Sequence, residues 1–468
     1  MTRDRERRRK LLEAPVGRTL VRLALPMMIG IAAVLFFNIV DTFWIGRLGP
    51  EPLAAIGFTF PVVMVVSNLT IGLGIGSTAV IARALGEERR DEVRRLTTDA
   101  LGLALLLVAT VSLIGFVSIE PLFRALGADE RTLPMIREYM EVWYLGVGLL
   151  VIPMVGNGAI RATGDTVTPS LVMVAAGLVN AALDPLLIFG WGPVPSMGLR
   201  GAAFATVASY TVSMSVAFWI LGKREKMLTV EAPRVADVVG SWRRILRIGL
   251  PAAGTNLLTP LAAGAVTRIV SSHGPDAVAA FGVGTRVEGL SMMGVFALTA
   301  AITPFVGQNL GAGRSERLRE TLRFVVKASL VWGGGVALLL AAVAEPLARV
   351  FNDDPQVVER TALFFRIVPA SYWAFGIALL VAACFNAADR PYKATALAAL
   401  RLVVLAVPLA WLGSELHGLA GLFGGIALAN VIMGFVAGFY GRHELRVLTE
   451  ELEASGASDA EPTAEAAE

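Results

Sequence analysis

Twelve apolar stretches follow one another along this 468-residue chain, and most are as long as a helix that crosses a bilayer, roughly 20 residues. Charged residues make up 17% of the sequence and hydrophobic residues 55%, whereas a soluble protein carries about 25% charged residues. These values argue against a soluble enzyme of two or three domains, and the pattern predicts an all-α membrane protein. The predicted spans are 20–46, 53–82, 98–119, 136–158, 169–190, 200–221, 245–270, 277–307, 323–344, 362–385, 393–412 and 418–440.

The distribution of lysine and arginine predicts the orientation of these spans. Basic residues concentrate in the N-terminal segment, in the even-numbered loops and in the C-terminal tail, and they are sparse in the odd-numbered loops. The positive-inside rule then places both termini in the cytoplasm, in agreement with an even number of spans. The first apolar segment is too long for the core of a signal peptide, so we expect a retained membrane helix.

The chain contains an internal repeat at an offset of 225 residues. Pro26 aligns with Pro251, and Glu120-Pro121 aligns with Glu345-Pro346. Beyond these pairs we expect the register to drift by a few residues. Each half contains six spans, so both halves enter the membrane from the same side. This arrangement predicts two parallel six-helix lobes with a central cavity between them.

These boundaries divide the chain into five expected segments. They are a cytoplasmic N-terminal segment, an N-lobe, a cytoplasmic linker, a C-lobe and an acidic disordered cytoplasmic tail. Their bounds are 1–19, 20–221, 222–244, 245–440 and 441–468. The end of the tail is rich in alanine and glutamate, a composition that is unable to bury an apolar core.

Carboxylates inside the predicted spans are the strongest functional signal. Asp41 lies late in the first span, and Asp184 lies in the fifth, with Asn180 one turn before it on the same face. A carboxylate at membrane depth is costly and usually faces a cavity or a partner. The repeat mate of Asp41 is Val266, so the ionisable site should lie in the N-lobe.

Tyr139 and Thr206 fall at the same outer depth as the acids, which predicts a cation-coupling or proton-coupling site. Oxygen ligands from Asp41, Asn180, Asp184 and Thr206 would suit Na⁺, and two close carboxylates could equally share a proton. Each polar side chain could instead bond a neighbouring helix, and for Tyr139 and Thr206 that alternative is about equally good.

One stripe of the first span leads to Asp41 and is a candidate wall of a substrate cavity. Its members are Met27, Ile31, Val34 and Asn38. For the apolar members, ordinary helix packing is the better interpretation. Pro26 removes a backbone hydrogen bond near the cytoplasmic end of the same helix and is the predicted hinge.

Charged residues in the C-lobe carry no clear signal. Arg286 and Glu288 lie two residues apart in the second span of that lobe, so they face different sides of the helix. A structural ion pair or a position at the rim is as good an interpretation as function. The sequence assigns no role to Arg401, an isolated arginine in the eleventh span.

An ordered series of motifs resembles the MATE family (multidrug and toxic compound extrusion) over about residues 18–440. It consists of Asn157, Arg161-Ala162-Thr163-Gly164-Asp165, Asn180-Ala181-Ala182-Leu183-Asp184-Pro185 and Gly201-Ala202-Ala203-Phe204-Ala205-Thr206. The acid at Asp41, with none at Val266, is similar to the DinF-like branch. The resemblance implies that the N-lobe cation network consists of Asp41, Asp184, Asn180, Tyr139 and Thr206.

The resemblance also implies a function. Such a protein is a secondary active transporter in the inner or plasma membrane of a prokaryote. It exports organic cations and other amphipathic drugs by alternating access, in exchange for H⁺ or Na⁺. We expect no enzymatic activity and no cofactor beyond the coupling ion. The expected partners are a small-molecule substrate and membrane lipids, with no nucleic acid, and the protein should act as a monomer.

Two alternative functions compete with drug export. A lipid or lipid-linked glycan flippase of the same superfamily should have a cavity dominated by cationic side chains and often fourteen spans, which the twelve spans and the paired acids disfavour. A membrane-embedded prenyl transferase would need an aspartate-rich motif at a membrane face, and the sequence contains none.

Overall fold

The computed structural model describes residues 2–231 and 234–458, and the regular secondary structure of these residues is helical, apart from one isolated β-bridge between Trp191 and Val194. The first half contains α1 (Thr2–Glu13), α2 (Val16–Gly46), α3 (Pro50–Gly86), α4 (Arg90–Ala125), α5 (Thr132–Gly146), α6 (Gly148–Ala162), α7 (Val167–Phe189) and α8 (Gly198–Trp219). A π-helical turn, Ile220–Arg224, extends α8.

The second half follows the same plan with more interruptions. It contains α9 (Val235–Ser271), α10 (Pro275–Ser291), α11 (Met293–Gly311), α12 (Ser315–Ala342), α13 (Ala344–Phe351), α14 (Pro355–Ile367), α15 (Tyr372–Ala387), α16 (Pro391–Ala399) and α17 (Val407–Ser458). A 3₁₀ turn, Val368–Ser371, joins α14 to α15, and a π-helical segment, Leu400–Ala406, joins α16 to α17.

All twelve predicted spans fall on these helices, and the predicted all-α membrane fold is confirmed. Within the described residues, nine helical segments are long and apolar enough to cross a membrane, or ten when α5 and α6, bent by 42°, count as one span. One of the nine runs from Pro391 to Glu451 and contains non-helical φ and ψ angles at His417 and Gly418. This bend separates the two spans that the sequence predicts there.

The backbone repeats at the predicted offset of 225 residues. α3 and the pair α10–α11 begin and end at equivalent positions. Left-handed φ angles also recur in equivalent turns: Gly49 (121°) with Gly274 (96°), Glu88 (61°) with Gly313 (67°), and Gly164 (85°) with Asp389 (58°). The register of the two repeats therefore holds as far as residues 164 and 389. The sequence predicts an earlier drift because the turn at these two positions keeps its conformation while its residue changes from glycine to aspartate.

The helices form two compact units whose boundaries lie inside helices. The N-unit consists of Pro26–Ala253, and the C-unit consists of the described residues before and after it. One boundary falls within α2 and the other within α9, so the predicted linker 222–244 contains the first ten residues of α9. Trp242 in that stretch donates its indole N–H to the backbone oxygen of Asp99 on α4 at 2.8 Å, which holds the start of α9 in the N-unit.

The expected disorder of the tail is wrong for its first part. α17 continues to Ser458, and acids on the part of it up to Glu451 meet basic residues at the start of α16. Glu444 accepts hydrogen bonds from Arg390 at 2.6 Å and from Lys393, and Glu451 accepts one from Arg390 at 2.7 Å. The remainder of the predicted tail, 459–468, lies outside the described residues.

Small residues let α3 and α9 approach closely inside the N-unit. A Cβ added to Gly72 would lie 2.5 Å from the backbone oxygen of Gly249, and one added to Gly76 would lie 2.4 Å from that of Ile245. These glycines of α3 therefore serve helix packing.

Candidate functional site

The position of Asp41 follows from close packing of α2 along α7. The sulfur of Met27 lies 3.5 Å from the hydroxyl of Ser170. Further along the same face, the ring of Phe37 occupies the space that a side chain at Gly177 would need, since a Cβ there would lie 1.8 Å from the ring. This register carries Asp41 to the level of the polar residues of α7.

Asp184 lies at the centre of that polar level. Its side chain is 0% exposed, and its Oδ1 accepts a hydrogen bond from the amide of Asn180, one turn earlier, at 3.2 Å. Pro185 follows directly and has no N–H, so the carbonyl of Ala181 lacks its helical hydrogen bond. The acid therefore lies at a locally weakened turn of α7.

Asp41 is close enough to Asp184, Tyr139 and Tyr210 to interact with each of them electrostatically. Oδ1 of Asp41 and Oδ2 of Asp184 are both buried, and neither has a hydrogen-bond partner among the described side chains. Two neighbouring carboxylates, each with one buried oxygen that lacks a partner, repel each other and lose hydration when both are charged. Such an arrangement favours uptake of a proton or of a small cation.

The structure brings together four of the five predicted site residues and adds one. Asp41, Asp184, Asn180 and Tyr139 meet, whereas within the described chain no hydrogen bond joins the side chain of Thr206 to either acid. Tyr210, which follows Thr206 by one turn of α8, interacts electrostatically with Asp41, and Thr206 stays a prediction. The spacing of four residues was the signal that could have identified Tyr210.

The predicted cavity stripe divides into two parts. Met27 is only 4% exposed and packs on α7, so it contributes to helix packing. Val34 is 38% exposed and Asn38 is also exposed, while Ile31 is half-buried. The last three residues stay candidates for contact with a substrate.

The turn between α6 and α7 fixes the start of α7. Asp165 accepts hydrogen bonds from the backbone N–H of Thr168 at 3.0 Å and from its hydroxyl at 2.6 Å, and it pairs with Arg224 after α8. α7 begins at Val167, and Pro169 is its third residue. The turn thereby ties α7 to α8, the two helices that carry Asp184 and Tyr210.

The repeat has no second copy of this site. The mates of Asp41, Tyr139 and Asp184 at the offset of 225 residues are Val266, Phe364 and Leu409. In the part of the chain that the structure covers, no group of three or more His, Cys, Asp or Glu side chains could hold a metal ion. Two carboxylates and an amide fit a proton or a single monovalent cation better than a transition metal.

The MatE family model matches the chain twice, at residues 26–186 and 251–412. The chain belongs to the MATE family. The two matches coincide with the two repeats, and members of this family are transporters and not enzymes. Membership confirms the resemblance identified from the motifs, while the DinF-like branch stays a prediction.

Individual relatives cover nearly the whole chain. A "FAD transporter" of Shewanella oneidensis is 41% identical over 433 residues, which span 92% of this chain and 96% of the relative. A "probable multidrug resistance protein NorM" of Thermotoga maritima is 30% identical over 356 residues, 75% of this chain and 76% of the relative. The crystal structure of the Vibrio cholerae MATE transporter VcmN in the bent form matches with a TM-score of 0.88 at 30% identity, over 92% of this chain and 98% of that one.

Proposed function

We propose that this MATE transporter is a secondary active exporter that couples efflux to entry of H⁺ or Na⁺ at Asp41 and Asp184. The observation that carries the proposal is the pair of buried carboxylate oxygens without hydrogen-bond partners among the described residues. A proton gives one carboxyl group a donor, and Na⁺ takes oxygen ligands from Asp41, Asn180 and Asp184. Either cation relieves the repulsion between the acids.

Coupling requires that the charge at this site change the shape of the protein. Asp41 lies 15 residues after Pro26 on α2, which is roughly 22 Å along the helix. To move an equilibrium between two shapes from 1:99 to 99:1 takes about 5.5 kcal/mol. One charge-assisted hydrogen bond contributes roughly 1.5–3 kcal/mol, so Tyr139, Asn180 and Tyr210 must rearrange together. Pro26 is the proposed hinge of α2.

The proposed substrates are organic cations and other amphipathic drugs, in line with the name of the Thermotoga maritima relative. A second candidate is FAD, because the Shewanella oneidensis FAD transporter is 41% identical over almost the full length of both chains. The flippase alternative has no comparable support. The protein acts as a monomer in the inner or plasma membrane, with both termini in the cytoplasm.

Proteoliposomes with independently imposed Na⁺ and pH gradients test the proposal. Ethidium and FAD serve as substrates on the side that corresponds to the cytoplasm. Efflux should accelerate with one of the two gradients and stop when that gradient is collapsed by an ionophore. Equal efflux with and without both gradients would contradict the coupling.

A further inference from the structure

A polar cluster in the C-unit is not part of the site described above. Glu288 on α10, Tyr372 on α15, Asn430 on α17 and Arg401 in the π-helical segment meet with Ser371 in the middle parts of four spans. A charged side chain at such a depth is costly, and for that reason it marks a candidate functional site. Arg401 is the centre of the cluster.

Neighbouring side chains hold the guanidinium of Arg401 in place from two directions. Its Nη1 donates to Oδ1 of Asn430 at 3.2 Å, and the amide of Asn430 donates to the hydroxyl of Ser371 at 3.0 Å. The ring of Phe375 covers one face of the guanidinium, whose central carbon lies 4.2 Å from the ring centroid. A guanidinium has five N–H donors, and Nε and Nη2 of Arg401 donate to no side chain or carbonyl within the described chain.

The acid nearest to Arg401 does not neutralise it by direct contact. Glu288 interacts electrostatically with Arg401, yet among the described residues the two form no salt bridge. The hydroxyl of Tyr372 is buried beside Glu288 and has no hydrogen bond of standard geometry within the same residues. The cluster therefore keeps a cationic donor and its counter-charge apart.

The helices are irregular at this cluster. Arg401 lies in the π-helical segment, and Ser371 ends the 3₁₀ turn. π-helical turns inside α-helices frequently occur at functional sites. The repeat mates of Glu288, Tyr372 and Arg401 are Val63, Val147 and Ala176. The N-unit thus builds the equivalent helices with apolar residues at these positions, so the fold itself does not require the charges.

We infer that Arg401 binds an anionic group of the transported substrate, a phosphate or a carboxylate, and that Glu288 is its counter-charge when the site is empty. The inference rests on the proposed export function and names a substrate class for it. Arginine binds phosphate and carboxylate through pairs of parallel N–H donors, and two such donors of Arg401 are free of other described groups. A dinucleotide such as FAD carries a diphosphate of this chemistry.

Binding to the purified full-length protein in nanodiscs tests the inference with three probes: FAD, riboflavin, which lacks phosphate, and pyrophosphate. Arg401→Gln should weaken FAD and pyrophosphate binding at least about tenfold, the effect of losing a hydrogen bond to a charged group. Riboflavin binding should change less than about twofold. Arg401→Lys should recover part of the affinity for FAD, and Glu288→Gln should leave it equal or higher.

The matched control is Arg366→Gln. Arg366 lies in the same unit and pairs with Glu345 at 3.0 Å, with about half of its side chain exposed. This variant should bind all three probes like the wild type, and melting temperatures of all variants establish that they are folded.

Three outcomes would overturn the inference. They are a lack of FAD and pyrophosphate binding by the wild type, unchanged binding in Arg401→Gln, and an equal loss of FAD and riboflavin binding in that variant. Ethidium efflux driven by a cation gradient separates this result from the proposed export function. If that efflux is absent while FAD binding depends on Arg401, the export proposal fails and the anion site stands.

Discussion

Asn180 satisfies only one of the two carboxylate oxygens of Asp184. Its amide donates to Oδ1 at 3.2 Å, and Oδ2 stays buried without a partner among the described residues. A neutral amide in place of this carboxylate keeps the volume and removes the charge. We therefore expect Asp184→Asn and Asp41→Asn to reduce gradient-driven ethidium efflux at least about tenfold, since each 1.4 kcal/mol is a factor of ten.

The control for these variants is Asp91→Asn, because the side chain of Asp91 is fully exposed on α4. It should transport like the wild type. All three variants are reconstituted at matched protein content, and the cation dependence of efflux is measured. Wild-type efflux from either single variant would remove that acid from the coupling mechanism.

Tyr210 interacts electrostatically with Asp41, and we expect its hydroxyl to bond that carboxylate as the charge of the carboxylate changes. Tyr210→Phe removes this expected hydrogen bond to a charged group. It should therefore raise the cation concentration for half-maximal efflux by about tenfold. Tyr392→Phe is the control, since Tyr392 is 69% exposed. If both variants show the same cation dependence as the wild type, the phenol of Tyr210 has no part in coupling.

Pro26 and Pro251 are repeat mates whose helices differ in their downstream residues. Asp41 lies after Pro26 on α2, whereas α9 carries no acid after Pro251. Pro26→Ala restores a helical hydrogen bond and stiffens α2, so it should slow efflux more than Pro251→Ala does. Efflux is compared at matched expression, and equal tolerance of both substitutions would defeat the hinge assignment.

Gly177 makes room for Phe37 where α2 crosses α7. A Cβ at Gly177 would lie 1.8 Å from the ring, so Gly177→Ala should destabilise the protein by about 1–3 kcal/mol, as overpacking does. The double variant Phe37→Ala with Gly177→Ala should recover part of the melting temperature. Gly102→Ala on α4, where no atom lies within 4 Å of an added Cβ, is the control. A melting temperature of Gly177→Ala equal to that of the control would refute this packing.

Glu444 lies after the last predicted span and binds basic residues at the start of α16. Burial alone would raise the pKa of Glu444, but hydrogen bonds from Lys393, Tyr440 and Arg390 hold that pKa below its usual value of 4.5. A carboxylate with a lowered pKa stabilises the folded state above its usual pKa, and the stabilisation disappears as the pH falls through the lowered value.

Glu444→Gln should therefore lower the melting temperature at pH 7, and its difference from the wild type should shrink as the pH falls through the lowered pKa of Glu444, where the wild-type carboxylate becomes protonated as well. Glu415→Gln, on the same helix before its bend, serves as the control. A constant difference between Glu444→Gln and the wild type across this pH range would show that the contribution is not electrostatic.

The sequence allowed prediction of features that depend on local pattern. Apolar length placed the twelve spans, and the cost of a carboxylate in the membrane identified Asp41 and Asp184. Tyr210 was missed because a tyrosine in an apolar helix has many ordinary roles. Arg401 was missed because its partners, Asn430 and Phe375, come from other spans, and spacing within one helix does not predict such contacts.

Composition did not predict the boundaries of the two units either. A charged stretch suggested a linker at 222–244, but the N-unit ends at Ala253, inside an apolar stretch of α9. Side-chain and backbone packing decides that boundary, as the contact of Gly249 with Gly72 shows.

The residues before Pro26 belong to the C-unit, and the first part of α9 belongs to the N-unit. A cut in the charged stretch between the halves would thus give two polypeptides. The first would carry the N-terminal residues of the C-unit, and the second would carry the last helical segment of the N-unit. Neither polypeptide could complete its own packing alone, whereas the two together contain every piece.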